Sequence, residues 1–192
     1  MKKVATLALL GALVSPLAAC SSQDSLSKQA NSGDQKNYIA GDGTVAEYAP
    51  GNRIAAVDFT GKTFEGQEIN ASQLRGKPTI LNFWYASCAP CRKEAPALEQ
   101  VNKGLTGKVN FYGVNMRDTK ENVDAFNRTF NISYPSFDDR NGKIMLAFNA
   151  SVSPQAVPTT LVLDKQGRVA ARVLGVTDKS TLNALVNKVL SE

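Results

Sequence analysis

Residues Pro78 to Tyr85 read PTILNFWY, a near-continuous apolar run with one amide, Asn82, inside it. A short run of this kind suits a strand buried on both faces of a sheet. That sets the architecture, because both faces of such a strand must be covered by other layers. VNFYGVNM, from Val109, reads as a second buried strand. Between them lies a helical pattern with Ala95, Leu98, Asn102 and Leu105 on one stripe. Asp118-x-x-Glu121 resembles a capping box, opening a helix that turns Val123, Phe126 and Phe130 inward. A short helix is expected around Lys143 to Phe148. VPTTLVLDKQGRVAARVLG then gives two strands joined at Lys165-Gln166-Gly167. Asp178 can cap a last helix with Leu182, Leu185, Val186 and Val189 inward. Upstream, Ile54–Phe59 and Lys62–Ile69 flank Thr60-Gly61, which suggests a hairpin turn there. Tyr38 to Pro50 fits either a short hairpin or a surface segment. The order hairpin, β, α, β, α, short α, β, β, α predicts an α/β fold. Its central mixed β-sheet is flanked by helices and preceded by an N-terminal β-hairpin.

The front of the chain reads differently. A basic start, Met1-Lys2-Lys3, precedes an apolar run from Val4 to Val14, too short to span a bilayer and the size of a signal-peptide core. Leu17-Ala18-Ala19-Cys20 follows. An ordinary secretory signal with a chance cysteine fits this order. So does a bacterial lipobox, which the four residues resemble and which implies cleavage before Cys20 and diacylation of its sulfur. Two acyl chains give stable anchoring where one is marginal. The domains expected are a signal peptide over 1–19, a lipidated cysteine and flexible tether over 20–50, and a folded domain over 51–192. Residues 21–37 are almost wholly polar and bury too little to offset their ordering entropy. Without residues 1–19 the balance is about 20 basic against 17 acidic residues, with no basic run. That mild charge points to neither nucleic acid nor a polybasic membrane patch. Asn-x-Ser/Thr sequons occur at Asn70, Asn127, Asn131 and Asn149, and in a bacterial lipoprotein they carry no role.

NFWYASCAPCRKEAP holds Cys88 and Cys91, two of three cysteines. Zinc needs three or four ligands, and the chain has no histidine. A purely structural disulfide across so short a loop gains little from loop closure. A dithiol-disulfide couple fits better. The strand ends near Tyr85 and the helix begins near Cys88, where free N–H groups and the helix dipole stabilise a thiolate. Pro90 suits the first turn. Cys91 lies one turn on, more shielded, placed to resolve a mixed disulfide. Pro96 falls inside the helix and is expected to kink it.

FWYASCAPCRKEAP together with the distant VPTTLVLDKQG resembles the thioredoxin superfamily, and within it the membrane-anchored TlpA/ResA/DsbE type of thiol-disulfide oxidoreductase. The likeness covers about residues 51–192. It implies a thioredoxin-like fold with a central helical insertion, here Asp118 to Phe148. By the resemblance Cys88 attacks and Cys91 resolves. Pro158 is the cis-proline facing the disulfide, although a trans linkage is the default for any X-Pro bond. Val157 contacts an extended substrate through its backbone. Glu94, on the same helix face as Cys91, lines the site and tunes the thiols, unless it is a solvated partner of Arg92 or Lys93. Trp84 packs beside the site as a substrate contact or as a plain core aromatic. Asn82 stands where thioredoxin has a buried aspartate, and Ser87 where many relatives have a second tryptophan.

The type implies no cofactor beyond the Cys88–Cys91 disulfide, and no metal. It implies protein disulfide substrates, apocytochrome c among them in cytochrome c maturation. A membrane thiol electron donor of the CcdA/DsbD kind would recycle it. The expected protein is a monomer, lipid-anchored at the extracytoplasmic face of the cell membrane. Oxidation of secreted proteins and a non-catalytic lipoprotein binding module are the alternatives. A peroxidase reading lacks the threonine-containing peroxide-binding pattern upstream of the cysteines.

Overall fold

A computed structural model describes residues 44–192 and the backbone of Tyr38–Ile39. The expected signal peptide over 1–19, Cys20 and the polar stretch over 21–37 lie outside the described residues. Nine strands are described: β1 (Tyr38–Ile39), β2 (Val45–Glu47), β3 (Thr60–Lys62), β4 (Glu68–Asn70), β5 (Thr79–Trp84), β6 (Asn110–Asn115), β7 (Ser136–Asp138), β8 (Thr159–Leu163) and β9 (Val169–Leu174). The α-helices are α1 (Ala89–Gly104), α2 (Lys120–Phe130), α3 (Lys143–Ala147) and α4 (Lys179–Leu190). The main sheet has the order β1-β2-β9-β8-β5-β6-β7, and β3–β4 form a separate hairpin. β5 runs parallel to β6 and antiparallel to β8, and β6 runs parallel to β7. This is the mixed α/β, thioredoxin-like sheet expected.

β5 is buried at all six positions because successive side chains enter different cores. Ile80 packs with Leu98 and Val101 of α1 and with Leu182 and Val186 of α4. Leu81 and Phe83 face the other way, among Phe59, Phe137 and Phe148. Each such side chain contributes roughly 1.5–3 kcal/mol by leaving water. Period 2 then puts Asn82 on the α1 side, beneath the cysteine-bearing helix. α1 runs continuously through Pro96.

Several elements differ from expectation. Thr60-Gly61 is not a turn but part of β3. A Cβ on Gly61 would meet Ile144 Cδ1 at 2.6 Å and Phe137 Cδ1 at 2.7 Å, so glycine there marks close packing. The turn comes later, where Gly66 takes φ +92°. β7 was not anticipated. Nor does the folded unit start at residue 51: β1 and β2 already belong to the main sheet, β2 pairing antiparallel with β9. In β2 only Ala46 is buried, so backbone pairing rather than an apolar pattern holds this edge. The capping box at Asp118 also fails. Thr119 is the N-cap of α2 without a side-chain cap bond, and the Asp118 carboxylate is engaged elsewhere. Asp178 does cap α4, accepting from the Thr181 N–H at 2.9 Å.

Gly61→Ala is expected to destabilise the protein by about 1–3 kcal/mol through overpacking, lowering Tm by roughly 3–10 °C. Adding Ile144→Val removes the nearest clashing carbon. Thermal unfolding should therefore show the double variant losing less than the sum of the two single losses.

Candidate active site

Cys88 sits at the end of the β5–α1 loop as the N-cap of α1, and Pro90 occupies the helix's first turn. Cys88 and Cys91 form a disulfide with an S–S distance of 2.03 Å. The Cys91 N–H points at Cys88 Sγ over 3.1 Å, so a free helix-terminal donor already faces the sulfur on which negative charge would develop. In this oxidised state Cys88 is only 4% exposed and Cys91 2%, so the sulfur expected to be open is covered too. Both lie in a cluster with Trp84, Ala95, Val123 and Phe126.

The Val157–Pro158 bond is cis, as the resemblance implied. The Val157 carbonyl oxygen stands 4.0 Å from Cys88 Sγ. Two bonds brace this turn. The Thr159 hydroxyl donates to the Ala156 carbonyl, and the Gly175 N–H donates to the Pro158 carbonyl at 2.8 Å.

Glu94 is not the solvated helix residue of the alternative reading: it is 1% exposed. Asn82 Nδ2 donates to its Oε1 at 2.8 Å and the Thr177 N–H donates to its Oε2 at 2.9 Å. Asn82 Nδ2 also donates to Thr160 Oγ1 at 3.0 Å. Burial pushes the Glu94 pKa up to about 7, against these two hydrogen bonds, which pull it down. A carboxyl group one turn beyond Cys91 is thus poised to exchange a proton near neutral pH.

Trp84 is 3% exposed, which rules out the surface role of a substrate contact in this state. Its indole packs on Phe126 with ring centroids 4.3 Å apart. It lies over Gly113, where an added Cβ would come within 2.6 Å of Trp84 Nε1. Trp84 therefore backs the disulfide from inside.

Sequence reasoning missed Asp118. Its Oδ2 accepts from the Ala86 N–H at 2.6 Å and from Asn115 Nδ2 at 2.8 Å. The loop leading to Cys88 is thereby tied to the end of β6. Thr160 and Thr177 were also missed, since only the fold brings Thr177 to Glu94 and Thr160 to its partner Asn82. A second buried carboxylate on α1, Glu99, accepts from the Ser133 hydroxyl and N–H and pairs with Lys103. Burial pushes its pKa up, but these partners together hold it below the ordinary value. Among the described residues no three His, Cys, Asp or Glu side chains converge as a metal site.

The sheet, the disulfide at a helix start and the cis-proline opposite it define a thiol-disulfide oxidoreductase of the thioredoxin-like class. The chain belongs to the AhpC/TSA family, which it matches over residues 53–172. It is 32% identical to the thioredoxin-like protein YneN of Bacillus subtilis over 130 residues, 66% of this chain and 74% of that protein. It is 32% identical to the thiol-disulfide oxidoreductase ResA of Geobacillus thermodenitrificans over 128 residues, 66% of this chain and 71% of that one. Among solved structures, a secreted thiol-disulfide isomerase from Corynebacterium glutamicum superposes with a TM-score of 0.70 at 27% identity, covering 82% of this chain and 98% of that one.

Glu94 gives the oxidised protein a pH-dependent stability. Its pKa rises from the ordinary 4.5 to about 7 on folding, so the folded state holds the proton more tightly than the unfolded chain. Stability is then full below about pH 4.5 and declines as pH rises towards 7 and above, by a total of about 3 kcal/mol. Denaturant titrations across that range should show this slope. Glu94→Gln should flatten it while adding a roughly constant loss, because one amide edge meets a donor. An unchanged slope in the variant would remove Glu94 as its source.

Proposed function

We propose that this oxidoreductase is a lipid-anchored reductase of protein disulfides on the extracytoplasmic face of the cell membrane, with apocytochrome c in cytochrome c maturation as a substrate. The observation that carries the catalytic reading is the Cys88–Cys91 pair at the start of α1, with cis-Pro158 on one side and the buried, proton-holding Glu94 beneath. Leu17-Ala18-Ala19-Cys20 supports the anchor, and likeness to a protein named as secreted supports the compartment.

The reaction starts from the dithiol. The Cys88 thiolate, stabilised by the Cys91 N–H, attacks one sulfur of the substrate disulfide. That bond breaks and the second substrate sulfur leaves as a thiolate. Cys91 loses its proton to Glu94 in its ionised form, which a pKa of about 7 keeps populated at neutral pH, and attacks the Cys88 sulfur of the mixed disulfide. The Cys88–Cys91 bond forms, the first substrate sulfur leaves, and two electrons have passed to the substrate. The Val157 backbone, beside cis-Pro158, holds the substrate segment extended across Cys88. Trp84 keeps water from the inner side of the sulfurs. A membrane thiol donor of the CcdA/DsbD kind returns the two electrons.

With the purified, chemically reduced protein, insulin disulfides should be reduced, and Cys88→Ser should abolish the activity. Cys91→Ser should accumulate a covalent mixed disulfide that names the substrate on non-reducing gels. The Cys88/Cys91 couple should equilibrate near the potential of thioredoxin, about −270 mV. A value near about −120 mV, that of a strong oxidant, would reverse the assigned direction. Labelled palmitate should enter the wild-type chain in cells and be absent from Cys20→Ser.

A further inference from the structure

Beside Cys88 lies a groove of about 360 Å³ lined by Ala86, Ser87 and Arg92 on one side and Asp118, Asn122 and Phe126 on the other. Ser87 is exposed on its rim, next to the redox pair. Two arginines flank the loop that carries Cys88, and both are fixed in the same way. The Arg92 guanidinium lies over the Phe130 ring, 5.1 Å from its centroid, with Nη1 3.4 Å from the Ala86 carbonyl. The Arg117 guanidinium lies over the Tyr85 ring at 4.4 Å. Tyr85 in turn accepts from the Cys88 N–H through its carbonyl.

A guanidinium stacked on a ring has its rotamer already fixed while in-plane N–H groups stay available, and Arg92 uses only Nη1, on the Ala86 carbonyl. It has little side-chain entropy left to lose when it meets a carboxylate in the plane. Both arginines are exposed, and neither is in an ion pair among the described residues. Lys93, exposed on the next residue of α1, adds a third unpaired cation. Opposing charges are few. Asp118 is the carboxylate in the groove, and its Oδ2 is held by the Ala86 N–H and Asn115. Asp124 of α2 is paired with Lys120. Asp124 also projects from a different face of α2 than Asn122, Ala125, Phe126 and Thr129, which line the groove. Glu121, one turn before Ala125, interacts with the charges of Lys120 and Arg140.

We propose that this groove, together with Arg117 stacked on Tyr85 of the adjoining loop, is a docking site for acidic polypeptide segments, in which Arg92 in the groove and Arg117 beside it bind carboxylate side chains that flank the reacting cysteine of the partner. The proposal rests on the oxidoreductase reading and adds a charge preference to it. Partners with Asp or Glu beside their cysteines are captured, and partners with Lys or Arg there are disfavoured.

The test uses the full-length reduced protein and two peptides of one length. Each carries a single cysteine as an activated mixed disulfide, flanked by Asp and Glu in one and by Lys in the other. The acidic peptide should react at least about tenfold faster at low salt, with the ratio shrinking as salt screens the contact. In Arg92→Gln/Arg117→Gln the acidic-to-basic ratio should fall to near one. A general loss of thiolate reactivity or of folding would slow both peptides alike and leave the ratio intact, which would overturn the proposal. Equal rates in the wild type would overturn it as well. Anisotropy of the acidic peptide with Ser in place of Cys is read alongside. Charge-selective binding without any thiol reaction would remove the oxidoreductase reading and keep the docking site. Reaction without charge preference would do the reverse.

Discussion

The contact on which the site depends is the buried carboxylate of Glu94 held between Asn82 and the Thr177 N–H. It joins three pieces of chain far apart in sequence: the central strand β5, the cysteine-bearing helix α1 and the loop entering α4. Each of those pieces also leads to the redox pair or to the cis-proline turn that faces it. β5 leads into the Cys88 loop, α1 carries Cys91, and the Thr177 loop is bonded through Gly175 to the Pro158 carbonyl. Moving Glu94 would therefore disturb the helix that presents the sulfurs and the turn that faces them. A buried charge with only two donors is costly, and the protein meets that cost by keeping the group protonated up to near neutral pH.

The disulfide thus sits between layers of different character. Beneath it are an apolar cluster and one titratable carboxyl group. Outside it are two exposed guanidinium groups fixed on aromatic rings. On the proposed mechanism the inner layer moves a proton without admitting solvent, since Cys91, Glu94 and Trp84 are all nearly inaccessible. The outer layer can act on a partner before any bond is exchanged. On the proposed reading, the proton chemistry stays in the inner layer while the surface sets which proteins approach.

Much of this was legible in the sequence, and what was not has a physical reason. PTILNFWY fixed the central strand because burial on both faces leaves no polar alternation. The cysteine spacing and Pro90 marked a helix start, and Asp178 marked another. The short strands β1, β2 and β7 left no such trace, since strands of two or three residues carry too little pattern. Thr60-Gly61 misled because glycine serves both turns and close packing, and only the neighbours Ile144 and Phe137 tell which. At the site, Cys88, Cys91 and Pro158 were legible from their motif. The burial of Glu94 was not, because Arg92 and Lys93 beside it read as a solvated helix face. Its partner Thr177 lies 83 residues further on, and Thr160, which accepts from Asn82, lies 78 residues beyond that asparagine, both brought close only by β8 and the α4 loop.

Asp118 shows how the helical insertion contributes to the site without touching a sulfur. Asn115 ends β6 and accepts from the backbone N–H groups of Arg117 and Asp118, which turns the chain sharply towards the Cys88 loop. The Asp118 carboxylate then takes the Ala86 N–H, and the Arg117 side chain covers Tyr85. Further along, Phe126 backs Trp84 and Phe130 carries Arg92. One short turn and one helix thereby fix the loop, the inner wall and both cations. With Ser87 rather than a bulky side chain preceding Cys88, the groove between that loop and α2 stays open. The insertion thereby supplies one whole wall of the groove beside Cys88, from Asp118 to Thr129.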